Sequence, residues 1–348
     1  MPVSSTKRAL IAVAVMVCVL GVAAGAYLYR LHRPLAATSS GPTPSLLDEL
    51  PPDAPAIAYI DVAALRKLRN SPLAAVLGLT NSNPQTDREY SQFVRDTGFD
   101  YTRDLDQAAI AFWPTSLAPS ANAAGDNPAL AIAEGRFDQQ KIEAYATRAG
   151  GRAEPRGART VYIVPGSPAV SFEFLSSTRI AIASGKNSPE LLDTPRAGQG
   201  SSPMQARINR VAGAPLFAVA RTDNLPASFY ANFANAPQLE RMVRSLRGLS
   251  LAGQPQGDQI HLVLDGECDS ITNAAEISTL LDGFRLLGSM ALSDPKTRRQ
   301  LQMTPDQAGF VQEVIKQAHV SHQDHWVRIT LDVTPQMLGE PASSASSR

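Results

Sequence analysis

The chain has 348 residues, equal numbers of basic and acidic side chains (32 each) and 44% hydrophobic residues. Zero net charge excludes a global field that would gather nucleic acid or anionic lipid. Apolar content at this level is ordinary for a globular core, and with one of the two cysteines inside an apolar run, a disulfide within the folded part is excluded.

Residues 9–29, ALIAVAVMVCVLGVAAGAYLY, carry no charge over 21 positions, enough to cross a bilayer core as one helix. Lys7 and Arg8 precede the run and Arg30 and Arg33 follow it, so the basic residues tie and only the terminal amine favours an inside N-terminus. A short leader before a long exported domain then places the rest outside the cytoplasm, at the inner membrane. Ala24-Gly25-Ala26 is a small-x-small site at which the segment is alternatively removed. Cys18 sits mid-span behind Val17 and reads as a buried thiol rather than a lipid attachment point.

Residues 30–55, rich in Ser, Thr, Gly and Pro, read as a linker. Strands are expected at 56–60, 108–113 and 129–134, with a helix capped by Asp61 between the first two and another at 90–96 ended by Gly98. The polar stretch 114–128 joins two antiparallel neighbours. An amphipathic helix follows at 137–148, then closely spaced strands at 160–164, 170–174 and 179–184. Ser188-Pro189-Glu190 carries the capping hydroxyl, first-turn proline and acid of a helix start.

Residues 195–203 form a second polar break, and the order of elements then recurs. Strand 216–220 follows Ala214-Pro215 as 56–60 follows Ala54-Pro55. Helical stretches are expected at 225–233 and 237–247, strands at 249–252 and 259–264, and a long helix at 272–287. Asp294-Pro295 and Thr304-Pro305 start further helical segments, a hairpin of 317–322 and 325–333 closes the fold, and the tail is Ser/Ala-rich. The expectation is an α+β chain: leader 1–8, transmembrane helix 9–29, linker 30–55, similar antiparallel-sheet-plus-helix halves at 56–196 and 210–338, and a disordered tail 339–348. The halves fit one layered domain or two lobes with a cleft; a single compact bilobal unit is favoured.

The sharpest chemical candidate is HVSHQDH at residues 319–325. With Gln323-Asp324 as a two-residue turn, His322 and His325 face each other about 5 Å apart, near enough to share a metal. Strand alternation sends His319 to the opposite face, leaving the site incomplete. His261 falls on a polar sheet face. Asp61, Asp104, Asp106 and Asp223 near element ends are expected as caps rather than as acid–base pairs. Cys268 has no neighbouring His, Ser167 is a turn residue, and Gly198-Gln199-Gly200 lacks the strand and Lys of a phosphate loop. Arg241, Arg244 and Arg247 form a basic helix edge without an aromatic platform, which argues against nucleic acid and leaves contact with anionic headgroups open.

Residues 50–65 (LPPDAPAIAYIDVAAL), 93–112 (FVRDTGFDYTRDLDQAAIAF) and 134–145 (EGRFDQQKIEAY) resemble an uncharacterised bacterial family with one N-terminal membrane helix and a large extracytoplasmic domain. The resemblance implies localisation and fold, and brings no catalytic residues. Catalytic residues and cofactors are therefore expected to be none. The reading is a membrane-tethered, non-enzymatic binding or scaffold protein of the cell envelope, meeting an envelope protein or an apolar ligand. A metal-dependent extracytoplasmic hydrolase using His322 and His325 is the alternative.

Overall fold

The computed structural model of the chain describes residues 44–67, 88–113, 128–166, 168–194, 202–223, 237–257, 259–293, 305–334 and 337. The segments 1–43, 68–87 and 338–348, the helical stretch expected near 225–233, and Ser167, Gly198 and Gly200 lie outside these residues. Among the described residues, no helix is long and apolar enough to cross a membrane.

The first half opens with a 3₁₀ turn, Ser45–Glu49, and continues through β1 (Ala56–Asp61), α1 (Val62–Lys67), α2 (Arg88–Thr97), α3 (Tyr101–Asp104), β2 (Leu105–Phe112), β3 (Ala129–Gly135), α4 (Gln139–Arg148), β4 (Arg152–Arg156), β5 (Arg159–Val164), β6 (Val170–Phe174), β7 (Arg179–Ser184) and α5 (Ser188–Leu192). The second runs through α6 (Ser202–Val211), β8 (Leu216–Arg221), α7 (Pro237–Arg244), β9 (Leu246–Gln256), β10 (Gln259–Cys268), α8 (Ile271–Ser293), α9 (Pro305–Gln317), β11 (His319–Gln323) and β12 (Trp326–Val333). All the described strands join one antiparallel sheet of 12, in the order β11-β12-β10-β9-β8-β1-β2-β3-β7-β6-β5-β4. The fold is α+β.

The central strands are short runs of Ala, Ile, Leu and Val because both of their faces are covered. On one face Ile57, Tyr59, Ala109, Leu130, Ile132, Ala181, Phe217 and Val219 meet Leu46, Leu47 and Leu50 of the N-terminal turn, Leu192 of α5, and Met204, Ile208 and Val211 of α6. On the other, Ile142 and Ala146 of α4 pack on Ala133, Phe172 and Ile180. Farther along that second face, Ala274, Ile277 and Leu281 of α8 cover Val320, Val327 and Ile329. Helices therefore lie on both faces of the sheet. Each fully buried Leu, Ile or Phe contributes about 1.5–3 kcal/mol relative to exposure.

The halves meet edge to edge. β1 pairs antiparallel with β8, and Tyr59 opposes Phe217 in register, their rings stacked at 5.1 Å. Core side chains fill this joint. Local signals set several ends as expected: Asp61 Oδ1 accepts from Ala64 N at 2.7 Å, and Gly98 closes α2 with φ 73°, its N–H donating to Val94 O. Ser188 departs from the expectation. Asn187 is the residue before α5, and the Ser188 hydroxyl instead pairs with that of Ser171 at 2.9 Å.

Candidate functional site

The closing hairpin turns one residue later than the sequence suggests. Gln323 pairs with Trp326 and His322 with Val327, so the turn is Asp324-His325, with Asp324 at φ 52°, a conformation that Asp tolerates. His325 sits in the turn with its ring 5.4 Å from that of Trp326, and His322 and His325 are both exposed. They are not cross-strand partners. Among the described residues no three His, Cys, Asp or Glu side chains form a group that could hold a metal ion.

The other singled-out residues resolve into pairs. His261 opposes Asp332 across β10 and β12, Nδ1 to Oδ1 at 2.7 Å. Asp106 pairs with Arg66 at 2.6 Å, and Asp223 with Arg221 at 2.7 Å. The Arg221 hydrogen bond holds the Asp223 carboxyl below its ordinary range. Asp104 is buried and accepts from the Asp100 N–H at 2.9 Å and from Arg103 Nη2 at 2.6 Å. Burial works to raise its pKa, but the bonds from Arg103, the Asp100 N–H and Arg136 outweigh burial and keep it lowered. The Cys268 thiol is buried, which pushes its pKa up to about 11, a setting for an inert thiol. Helix α7 ends at Arg244, so Arg247 belongs to β9 and the expected basic edge breaks. Arg244 pairs with Glu240 at 2.8 Å.

The most concentrated polar group lies beneath α6, where no local pattern announces it. Pairing sets Ser250 opposite Asp265, Asp265 opposite Arg328, and Arg328 opposite Ser321. These four side chains form one row across four strands, because partners in register share a face. Arg328 grips Asp265 with two bonds, Nε at 2.5 Å and Nη2 at 2.7 Å. Arg210, reaching down from α6, adds a third at 3.2 Å and lies 4.0 Å over the Trp326 ring. One turn back, Arg207 donates to Glu267 from Nε at 2.7 Å and to Arg247 O at 3.1 Å. It lies flat over Gly248, where a Cβ would come within 2.2 Å of its Nε. Among the described residues, the buried hydroxyls of Ser250 and Ser321 at the ends of the row have no hydrogen-bond partner.

Asp265 is 1% exposed, with three guanidinium nitrogens on its oxygens. A general base must reach a substrate proton, and this carboxylate is oriented inward onto its own cations. The arrangement fastens α6 to the sheet. Sequence reading placed a polar break at 195–203 and no helix after it, although Pro203 near the start and the Met204, Ile208, Val211 spacing signal one.

A different surface is left apolar. Among the described residues the exposed large hydrophobic side chains are Ile271, Leu286, Leu287 and Met290, all on α8.

No family model matches the chain, and neither does any curated protein. Solved structures of TP0453 are similar at 12% identity. Crystal form III covers 85% of this chain and 96% of its own with a TM-score of 0.44. Form IV covers 86% and 95% at 0.43, and form I covers 84% and 95% at 0.44.

Proposed function

We propose that the chain is a single-pass, membrane-tethered binding or scaffold protein of the cell envelope, non-enzymatic, with its sheet domain on the extracytoplasmic side of the inner membrane. The observation that carries this reading is the internal pairing of the buried charged side chains among the described residues. Asp104, Glu173, Asp265, Arg207 and Arg328 each bind an opposite charge on a neighbouring residue, strand or helix. Their charges hold elements together, and none is turned towards a substrate. The uncharged segment 9–29 supplies the tether.

Two repeated halves belong to the same reading. Outward from the joint the order is β1, β2, β3, β7, β6 on one side and β8, β9, β10, β12, β11 on the other. In each half three successive strands pair in turn, helical chain intervenes, and a late hairpin returns its second strand to the third. The β4–β5 hairpin extends the first half alone. Core residues fill the joint, so the partner surface belongs on the outside rather than in a cleft between lobes.

Alkaline phosphatase fused after Arg348 tests the location. An active reporter is expected, because its disulfides form only outside the reducing cytosol, and an inactive phosphatase on a fusion that is expressed at full length sinks the reading. Metal-dependent turnover of ester, amide or phosphate substrates by the full chain that disappears in His322→Ala/His325→Ala, two exposed positions, would overturn its non-enzymatic part.

A further inference from the structure

Helix α8 changes character along one face. Its inner side, Ala274, Ile277 and Leu281, is buried against the sheet, and farther on Gly288 lies against Ile315 of α9, where a Cβ would sit 3.4 Å from the Ile315 side chain. The outward side follows the spacing of three and four residues that puts side chains on one face. It reads Glu276 and Thr279, then Gly283, Leu286, Leu287 and Met290. Leu286, Leu287 and Met290 are 57%, 63% and 72% exposed. Beside the leucines Arg285 Nε and Asp282 Oδ1 pair at 2.8 Å, so the apolar part of the face, from Gly283 to Met290, carries no net charge.

Resting on the tethered reading above, we infer that this outward apolar stripe docks on the surface of a lipid bilayer. A fully extended chain gains at most about 3.6 Å per residue, so the 14 residues 30–43 reach no farther than about 50 Å. A domain of this size is comparably wide, and every face can turn to the membrane while remaining at high effective concentration. A helix lying in the interface buries its apolar face about 5–10 Å into the headgroup and acyl boundary, the depth that a two-turn stripe of Leu and Met suits. A second copy is a poorer occupant. Three side chains present far less than the roughly 800 Å² per partner of a standard interface. With its charges paired, the stripe needs no anionic lipid, and docking on phosphatidylcholine is expected to survive salt.

The test uses the full chain, with Cys18 replaced by Ser, reconstituted in phosphatidylcholine vesicles that carry a bromine- or nitroxide-labelled acyl chain. A polarity-sensitive fluorophore is placed in turn at Met290→Cys, Glu276→Cys and Ala12→Cys; buried Cys268 stays unlabelled. Docking predicts lipid quenching and a blue shift at positions 290 and 12, water-like emission at 276, no change at about 0.5 M salt, and loss of quenching at 290 in Leu286→Asp/Leu287→Asp. Quenching at 12 with water-like emission at 290 overturns the docking and leaves the tether intact. Quenching at 290 but not at 12 supports the docking and overturns the tether. Water-like emission at both sinks both. A blue shift at 290 that depends on protein concentration in lipid-free micelles assigns the stripe to a second copy and overturns the lipid proposal.

Discussion

The Asp265–Arg328 pair offers the most quantitative handle on this fold. Their side chains are 1% and 5% exposed, so each has lost its hydration and depends on the other. Removing one member of such a pair costs about 3–5 kcal/mol, because an uncompensated charge is left buried. The two single changes are not equivalent here. Arg328→Met leaves Asp265 with Arg210 at 3.2 Å, which compensates part of the loss, and about 2–3 kcal/mol is expected. Asp265→Leu takes the carboxylate from two guanidinium groups at once, Arg328 and Arg210, and about 3–5 kcal/mol is expected. Arg210 is less exposed to that loss, since it is one-third exposed and keeps the Trp326 ring. The double change Asp265→Leu/Arg328→Met removes both charges, and its cost should fall well below the sum of the singles and below Asp265→Leu alone. Urea unfolding of the full chain in detergent, followed by tryptophan fluorescence, measures all three against the parent. An unchanged slope with a shifted midpoint reports stability. Additive singles, or an Asp265→Leu cost below about 1 kcal/mol, would refute the argument that these charges depend on each other.

Two further outcomes concern a neighbouring arginine and a buried acid of the first half. A Cβ at Gly248 would meet Arg207 Nε at 2.2 Å and Cζ at 2.5 Å, and Arg207 is fixed by Glu267; Gly248→Ala should cost about 2–4 kcal/mol in the same urea assay, and a loss under about 0.5 kcal/mol would show that the guanidinium moves aside freely. Asp104 has a lowered pKa in the folded chain, so the unfolded chain takes up its proton first. Its contribution is present above the ordinary value of 3.8 and is lost as pH falls through the folded value. Asp104→Asn should therefore lower the urea midpoint at neutral pH and converge with the parent as pH falls through the lowered folded value, whereas a gap that stays constant from neutral to acid would exclude the ionised form as the source.

How much of this was legible beforehand depends on what each element rests on. The strands β6 and β7 lie at 170–174 and 179–184 as read, because apolar runs bounded by turn residues need only local chemistry. The edge strand β4 was missed. Its sequence RAEPR has a proline and no apolar face, which suits a solvent-exposed edge and hides it from periodicity. β10 is longer than its apolar centre, because the polar positions Asp265 and Glu267 are satisfied by arginines from other elements. The hairpin histidines failed as a facing pair by a single residue of register, and one residue is enough to change every partner on a strand.

The amino-acid order alone determined the class of the fold, the run of most of its strands and helices, and the uncharged segment at its start, since propensity, alternation and caps act within a few residues. Only the tertiary structure decided that the two halves share one sheet through Tyr59 and Phe217, and that Asp265, Arg328, Arg210 and Arg207 converge. It also decided that one stretch of α8 keeps its leucines outside. Pairing partners and covered faces depend on contacts between residues distant in sequence, and no local pattern encodes which distant strand or helix will arrive.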